Sequence, residues 1–482
     1  MNPGSDVLET LFKEHFSEEV QDRQRIAQSG SDRRYYRLTA GPKTAVGTLS
    51  ENTSENNSFF YFTDLLRKHE IRVPEVFARS RDRKAYLQED LGGESLFDKL
   101  QKDGLTPEVK NLYRKALHEL ARLQWLAGRE ADFKQCCATV AFDERAILGD
   151  LLYFKYYFVD LQRIPYDRQA LTEEMESLAR ELGRYQPQML MYRDFQSRNI
   201  MVLPKGEIAF IDYQGAMQGP PQYDLASLLW QAKAALPDSW KEELLNSYLE
   251  SVKDIGVRID ELHFRRGYGQ FVLLRLLQVL GAYGFRGMLE RKPHFLSSIA
   301  PALRNLHQFL DSNPQIPAYP ELRKMLERLT QEDIINRYAA PEFPEKAPLK
   351  VTVQSFSYKQ GLPVDESGNG GGFVFDCRGI LNPGRFPQYK HLSGLDEAVQ
   401  RFLEEETRMP EFLEKIEDTL AITIDDYLQR GFENLSISFG CTGGQHRSVY
   451  ASEHIAAWLK RRYHLSCVAV HHNRERWVKE PV

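Results

Sequence analysis

Apolar and polar positions change their spacing three times along this chain. Residues 8–16 carry apolar side chains at helical intervals; from there to Tyr86-Leu-Gln-Glu-Asp-Leu-Gly92 short apolar runs separated by turn residues predict a mostly β region. After Leu105 the period lengthens, predicting helices over 109–126, 145–161, 171–182, 223–235, 240–252, 265–288 and 301–310, and one more ending near 338. Two short apolar runs, 200–203 and 208–211, interrupt that series around Pro204-Lys-Gly-Glu207, which is the pattern of a hairpin. The Pro-rich stretch 340–348 reads as a linker. Beyond it, strands at 349–356, 373–377, 435–439 and 467–471 mix with helices at 395–405, 410–430 and 445–462; Ser367–Gly372 makes a glycine-rich turn between the first two strands. The expectation is an α+β bilobal unit, with a β lobe over 1–92 and a helical lobe over 93–340, then a linker over 341–348 and a smaller α/β domain over 349–482.

Composition narrows the classes without choosing among them. At 482 residues, 42% hydrophobic, with a formal charge of −5, the chain can bury several cores, and its charge argues against binding nucleic acid over its whole surface. Five cysteines form no C-x-x-C pair and no zinc spacing, which argues against a disulfide framework or a structural metal and fits a reducing cytoplasm. The N-terminus lacks the basic and apolar regions of a signal peptide, and the most apolar stretch, 271–285, is broken by Arg275 and Gln278. The reading is a cytoplasmic protein with no membrane span.

The hairpin carries the chemistry. Met191-Tyr-Arg-Asp194-Phe-Gln-Ser-Arg-Asn199 leads into it and Phe210-Ile-Asp212-Tyr-Gln214 leaves it. Phosphoryl transfer in kinase folds uses an Asp that receives or orients the attacking hydroxyl, an Asn five residues on, and an Asp on the next strand, the last two holding Mg2+ against the ATP phosphates. Asp194, Asn199 and Asp212 match those roles. Upstream, Gly30-Ser31-Asp32-Arg33 matches a phosphate-covering turn, and Gln88-Glu89-Asp90-Leu91-Gly92 a hinge between lobes; Ser31, Asp32, Arg33, Arg37, Gln88, Glu89 and Leu91 are the candidate nucleotide contacts. The strand that should bring a lysine to the phosphates reads Thr44-Ala-Val-Gly-Thr-Leu49, with Gly47 or Thr48 in its place. Arg33, Arg34 or Arg37 can supply the charge instead, since a guanidinium binds phosphate through two N–H groups. Asp224 is a candidate brace for the catalytic loop, or a charge at a helix start; Asp150 is a candidate sugar-hydroxyl acceptor or a solvated helix carboxylate.

These residues resemble the aminoglycoside-phosphotransferase and choline-kinase group over roughly 20–310, which implies a protein-kinase-like fold. Gly30-Ser-Asp before Tyr35-Tyr36-Arg37, Arg193–Asn199, Ile211–Pro220, Tyr223-Asp-Leu-Ala-Ser-Leu228 and Leu276–Gly281 resemble more narrowly the bacterial anomeric sugar kinases, which phosphorylate N-acetylmuramate or N-acetylglucosamine at C1 in cell-wall recycling. The resemblance implies ATP-dependent transfer to an amino sugar. Tyr192 departs from it, standing where the broader group has His.

A second motif lies between the strand at 435–439 and the helix after it: Gly440-Cys441-Thr442-Gly443-Gly444-Gln445-His446-Arg447-Ser448. A glycine-rich turn into a helix stabilises an anion through amide donors and the helix dipole, and Arg447 would add a fork for phosphate. The same stretch has the C-x5-R-S spacing of cysteine-dependent phosphatases. With Ser355–Pro363, Phe373–Arg378, Leu381-Asn-Pro383 and Leu392–Asp396, it resembles the RapZ C-terminal domain over 349–475. That resemblance implies a glucosamine 6-phosphate site formed by Thr442, Gly443, Gly444, Gln445, His446 and Arg447. Gly384 departs from it, standing where a His is expected. The basic groups Lys460-Arg461-Arg462, Arg474, Arg476 and Lys479 make RNA a weaker expectation. The reading is a sugar kinase joined to a sugar-phosphate sensor. The alternatives are a non-catalytic pseudokinase or RNA-binding adaptor, which takes the missing lysine at face value, and a phosphatase centred on Cys441.

Overall fold

The structure is a computed structural model. It describes residues 3–26, 33–339, 349–364, 372–430, 432–465, 467 and 469–478, and the chain divides into two compact units, Met1–Ala340 and Pro341–Val482. Ser31, Asp32, Lys479, residues 341–348 and most of the 367–372 turn lie outside the described residues.

The β lobe is one antiparallel sheet of β1 (Asp22–Ile26), β2 (Arg34–Ala40), β3 (Lys43–Leu49), β4 (Val76–Arg79) and β5 (Ala85–Gln88), ordered β1-β2-β3-β5-β4. The helix Pro3–Phe16 buries Leu8, Leu11 and Phe12 against Leu38, Ala45 and Leu87 of the sheet. One part of this region departs from the strand-rich expectation: Thr53–Lys68 is a 16-residue helix. Asn52 caps it, accepting from the Glu55 amide at 3.2 Å. Its aromatic run reads as a strand by propensity, yet Phe59, Phe62 and Leu66 recur at helical spacing and are buried. Each fully buried Phe contributes about 2 kcal/mol of transfer free energy, which outweighs the weak propensity.

The helical lobe is built mainly from helices Pro107–Arg122, Glu144–Phe154, Arg168–Gly183, Asp238–Asp254, Glu261–Tyr283 and Ile299–Ser312. The helix anticipated over 223–235 stops earlier, running Pro221–Leu229 before a short 3-10 turn at Ala232–Ala234. Between helices come β6 (Met189–Met191), β7 (Ile200–Val202), β8 (Ile208–Phe210) and β9 (Met217–Gly219). β7 and β8 form the anticipated hairpin, with Ile200 opposite Phe210, and β6 pairs with β9. The helical run Glu261–Leu289 is long and apolar enough to cross a membrane by length and composition alone. Here Phe271, Leu274 and Leu277 lie in the lobe's core.

The second unit holds a parallel sheet of β10 (Lys350–Ser357), β11 (Phe373–Asp376), β12 (Asn434–Cys441) and β13 (Ala469–His471), ordered β11-β12-β10-β13. Helices Glu397–Glu405, Met409–Arg430 and Arg447–Tyr463 accompany it. Its apolar core draws on the strands and all three helices, from Leu349 to Leu465.

Candidate functional site

The backbone on either side of the hairpin is held in uncommon geometry. Arg193 and Asp212 sit at φ +79° and +70°, a left-handed region that costs a non-glycine residue about 1 kcal/mol or more. Asp224, fully buried in the helix Pro221–Leu229, secures the first of these: its carboxylate accepts from the Tyr192 amide at 2.8 Å, the Arg193 amide at 3.0 Å and Gln124 at 2.8 Å. The Tyr192 hydroxyl donates to the Ile211 carbonyl, tying the loop that carries Asp194 to the strand end that presents Asp212.

Within this frame the three carboxylate and amide groups converge. The Asn199 side-chain nitrogen donates to the Asp194 carbonyl at 2.9 Å and lies 3.4 Å from both Asp194 Oδ2 and Asp212 Oδ2. Gln196 donates to Asp194 Oδ1 and Gln214 donates to Asp212 Oδ1, the latter at 2.7 Å. Burial raises the Asp212 carboxyl above its ordinary range, and the neighbouring Asp194 charge raises it further. Burial also pushes Asp194 up, but the charges of Arg275 and Arg198 outweigh it and hold that carboxyl low. Asp212 offers an under-compensated carboxylate, with the Asn199 amide beside it. That donor set suits Mg2+, which takes one or two carboxylates with substrate phosphates rather than a full protein cage.

A cavity of about 650 Å3 opens beside these groups, lined by Arg33, Arg37, Gln88, Glu89 and Leu91 together with Asn199 and Asp212. The anticipated hinge and metal ligands thus share one wall. Among the three candidate replacements for the missing lysine, Arg37 is spent on the hinge, donating to Asp90 at 2.6 and 3.0 Å and to the Gly92 carbonyl at 3.2 Å. Arg34 is not part of the cavity wall. Arg33 is buried in it, 3.5 Å from Glu55 of the helix Thr53–Lys68, and its charge reaches Asp212. On β3, Val46 lines the cavity while Gly47 faces Leu8 of the N-terminal helix, so alternation puts the buried Thr48 on the same face of the sheet as Val46.

Asp150 is not a freely solvated helix carboxylate. Arg193 donates to both of its oxygens, at 2.8 and 2.9 Å, because a guanidinium between the Phe142 and Tyr223 rings needs a carboxylate to satisfy it. Arg275, read from sequence only as a break in an apolar helix, reaches Asp194 Oδ1 at 3.0 Å. Glu55, Gln196 and Gln214 were also passed over. The repeated Asp-x-Gln at 194–196 and 212–214 was the available signal.

In the second unit Cys441 ends β12 and the loop runs into the helix Arg447–Tyr463. Thr442 and Gly443 are exposed; the rest of the loop is buried. Arg447, anticipated on phosphate, donates through Nη1 to the carbonyls of Arg378 at 3.1 Å and Ile380 at 2.7 Å, while its buried Nε has no partner among the described residues. Gln445 donates to the Leu392 carbonyl at 2.7 Å and accepts from the Val478 amide at 3.0 Å, while His446 bonds the Tyr389 carbonyl at 2.8 Å. These three side chains therefore bind neighbouring chain segments rather than the open face of the loop. A side chain at Gly384 would come within 3.1 Å of the His446 ring, so that ring occupies the space of the absent histidine. Cys441 is buried; burial pushes its thiol up, but hydrogen bonds from Ser448 and the Gly444 amide, with the Arg447 charge, bring it below the ordinary value. With the Cys441 sulfur covered, the loop lacks the exposed thiolate of a phosphatase.

Comparison with known proteins places both units. Residues 22–268 match the family model of the phosphotransferase enzyme family, and residues 349–475 match that of the RapZ C-terminal domain. A nucleotide-binding protein of Clostridium beijerinckii (strain ATCC 51743 / NCIMB 8052) is 39% identical over 134 residues, 28% of this chain and 44% of that protein. One of Shewanella halifaxensis (strain HAW-EB4) is 40% identical over 116 residues, 24% and 39% of the two chains. The chain thus spans less than half the length of these relatives. Among solved structures, a thermostable mutant of aminoglycoside phosphotransferase APH(4)-Ia is 17% identical, covering 64% of this chain and 99% of that one with a TM-score of 0.42. Choline kinase LicA from Streptococcus pneumoniae is 14% identical, covering 63% and 99% with a TM-score of 0.43. By its match over more than half its length, this chain belongs to the phosphotransferase enzyme family and carries a RapZ C-terminal domain as its second unit.

Proposed function

We propose that the chain is an ATP-dependent kinase acting on a sugar hydroxyl, the anomeric one of an N-acetylated amino sugar, in the cytoplasm, and that its second unit senses an amino-sugar phosphate. One observation carries the kinase reading: the cavity wall joins Gln88, Glu89 and Leu91 to Arg33, Asn199 and Asp212, with Asp194 bonded to Asn199. In this reading adenine lies along the hinge and the phosphates point toward Asp212. Arg33 takes the part of the missing lysine, with Glu55 as its carboxylate partner. Asn199 and Asp212 would hold Mg2+ through an amide and a carboxylate oxygen; the ion supplies charge neutralisation for the bridging phosphate oxygens. Asp194 orients the acceptor hydroxyl, and Asp224 keeps the loop that carries it in place. The amino sugar rests on the sequence resemblance of residues 193–228 to anomeric sugar kinases, and the sugar-phosphate ligand on the family match over 349–475, with the exposed Thr442 and Gly443 as the approach.

The test is a panel of free amino sugars with ATP and Mg2+, with NMR assignment of the phosphorylated position. Asp194→Asn is expected to lower kcat by about 100-fold to 10,000-fold, the range of a positioned acid–base group. A wild-type chain that turns over no amino sugar would sink the reading.

A further inference from the structure

Arg275 is the one charged side chain on the buried face of a helix whose neighbours Phe271, Leu274 and Leu276 are core residues, and its own side chain is only 6% exposed. A guanidinium placed there loses most of its hydration, so a charge in this position needs a specific partner. Its partners are few and directed. Nη2 donates to Asp194 Oδ1 at 3.0 Å, while Nη1 donates to Gln278 at 2.7 Å and lies 3.4 Å from the Tyr223 hydroxyl. Gln278 lies one helical turn along and orients the fork from its own helix.

We infer that Arg275 is a positioning residue for phosphoryl transfer: it fixes Asp194 Oδ1 so that Oδ2 is the oxygen presented to the acceptor hydroxyl. This rests on the kinase reading of Asp194. The argument is an account of lone pairs. Oδ1 takes two close donors, Gln196 and Arg275, and its acceptor capacity is filled. Oδ2 has Asn199 and Arg198, each at 3.4 Å, near the outer limit of a hydrogen bond, and so retains capacity for a hydroxyl donor. Oδ2 is also the oxygen next to Asn199, whose amide reaches Asp212 Oδ2, so a hydroxyl held there lies on the side of the phosphate-facing groups. Without Arg275, Oδ1 keeps only the Gln196 donor, and rotation about the last torsion, which is soft for Asp, can turn either oxygen to the acceptor.

The experiment compares Arg275→Met and Arg275→Lys with wild type. Arg275→Met is expected to lower kcat about tenfold to a hundredfold, the worth of a hydrogen bond to a charged group, with the affinity for ATP, followed by a fluorescent analogue, within about twofold of wild type. Arg275→Lys, which retains a donor and a charge, is expected to recover part of kcat. Wild-type kcat in Arg275→Met overturns the inference, and so does an equal loss of nucleotide binding and turnover, which marks a residue needed only for folding. If the wild-type chain phosphorylates no sugar, the kinase reading fails separately; thermal unfolding of Asp194→Asn, Arg275→Met and the double variant still reads the pair. The double variant is expected to lose less than the two single losses together, and additive losses overturn the inference.

Discussion

At the scale of single residues, the candidate site is a set of carboxylates whose roles follow from who donates to them. Asp212 is buried beside the Asp194 charge and is raised; Asp194 has two arginines and is lowered; Asp224 is buried among backbone amides. Burial raises the Asp224 carboxyl from 3.8 to about 6, more than its hydrogen bonds from Tyr192, Gln124 and Arg193 lower it. The sign follows from linkage. A carboxyl raised in the folded state contributes stability that is complete below about pH 3.8 and is lost as pH rises through about 6. Asp224→Asn has no charge to lose, so the stability of wild type relative to this variant is expected to fall by about 2 kcal/mol between pH 4 and pH 6 in denaturant titrations. A flat difference across that range would contradict the burial argument. The same variant turns an amide donor toward donors and is expected to lower kcat at least about tenfold at neutral pH. Asp194, Asn199 and Asp212 were legible in the chain because their spacing is local. Arg275 was not, because it stands 81 residues from the carboxylate it meets.

At the scale of elements, close packing decides where the side chains land. Tyr192 bridges the Asp194 loop to the Asp212 strand through the Ile211 carbonyl, which gives the residue in the usual His position a definite structural part. The helix that delivers Arg275 approaches the 144–159 helical segment through glycines. A Cβ on Gly281 would stand 2.9 Å from the Phe154 backbone, and one on Gly284 only 2.0 Å from the Tyr157 carbonyl oxygen. Backbone cannot give way as a side-chain tip can, so Gly284→Ala is expected to cost about 3 kcal/mol or more. It should also lower turnover by shifting the Arg275 helix. Gly256→Ala serves as contrast: its added Cβ meets nothing within 4 Å, although its φ of +78° carries a cost of its own, and kcat should be retained. Equal kcat losses in the two would separate activity from this packing. The helix Thr53–Lys68 escaped the pattern reading because its Phe-Phe-Tyr-Phe run favours strands locally, while the buried face that makes it a helix is defined only by Tyr86 and the rest of the core.

At the scale of the whole molecule, the two units have separate apolar cores, one group of clusters within residues 8–335 and another within 349–465. Calorimetry of the intact chain is expected to resolve two transitions. Mg-ADP should raise one and glucosamine 6-phosphate the other, each by about 2.7 kcal/mol at a hundred times its Kd. A single transition moved by both ligands would contradict independent units. The chain by itself determined the order of β, helical and α/β regions and the spacing of Asp194, Asn199 and Asp212, because periodicity and turn chemistry act over a few neighbouring residues. Tertiary structure alone decided that Arg33 and Arg37 but not Arg34 line the cavity, with Arg37 paired to Asp90, that Arg275 meets Asp194, that Arg193 pairs with Asp150, and that Arg447 Nη1 turns to carbonyls. Each is a choice of partner for a long, charged, flexible side chain, and such a side chain is satisfied by whichever acceptor the fold brings within reach.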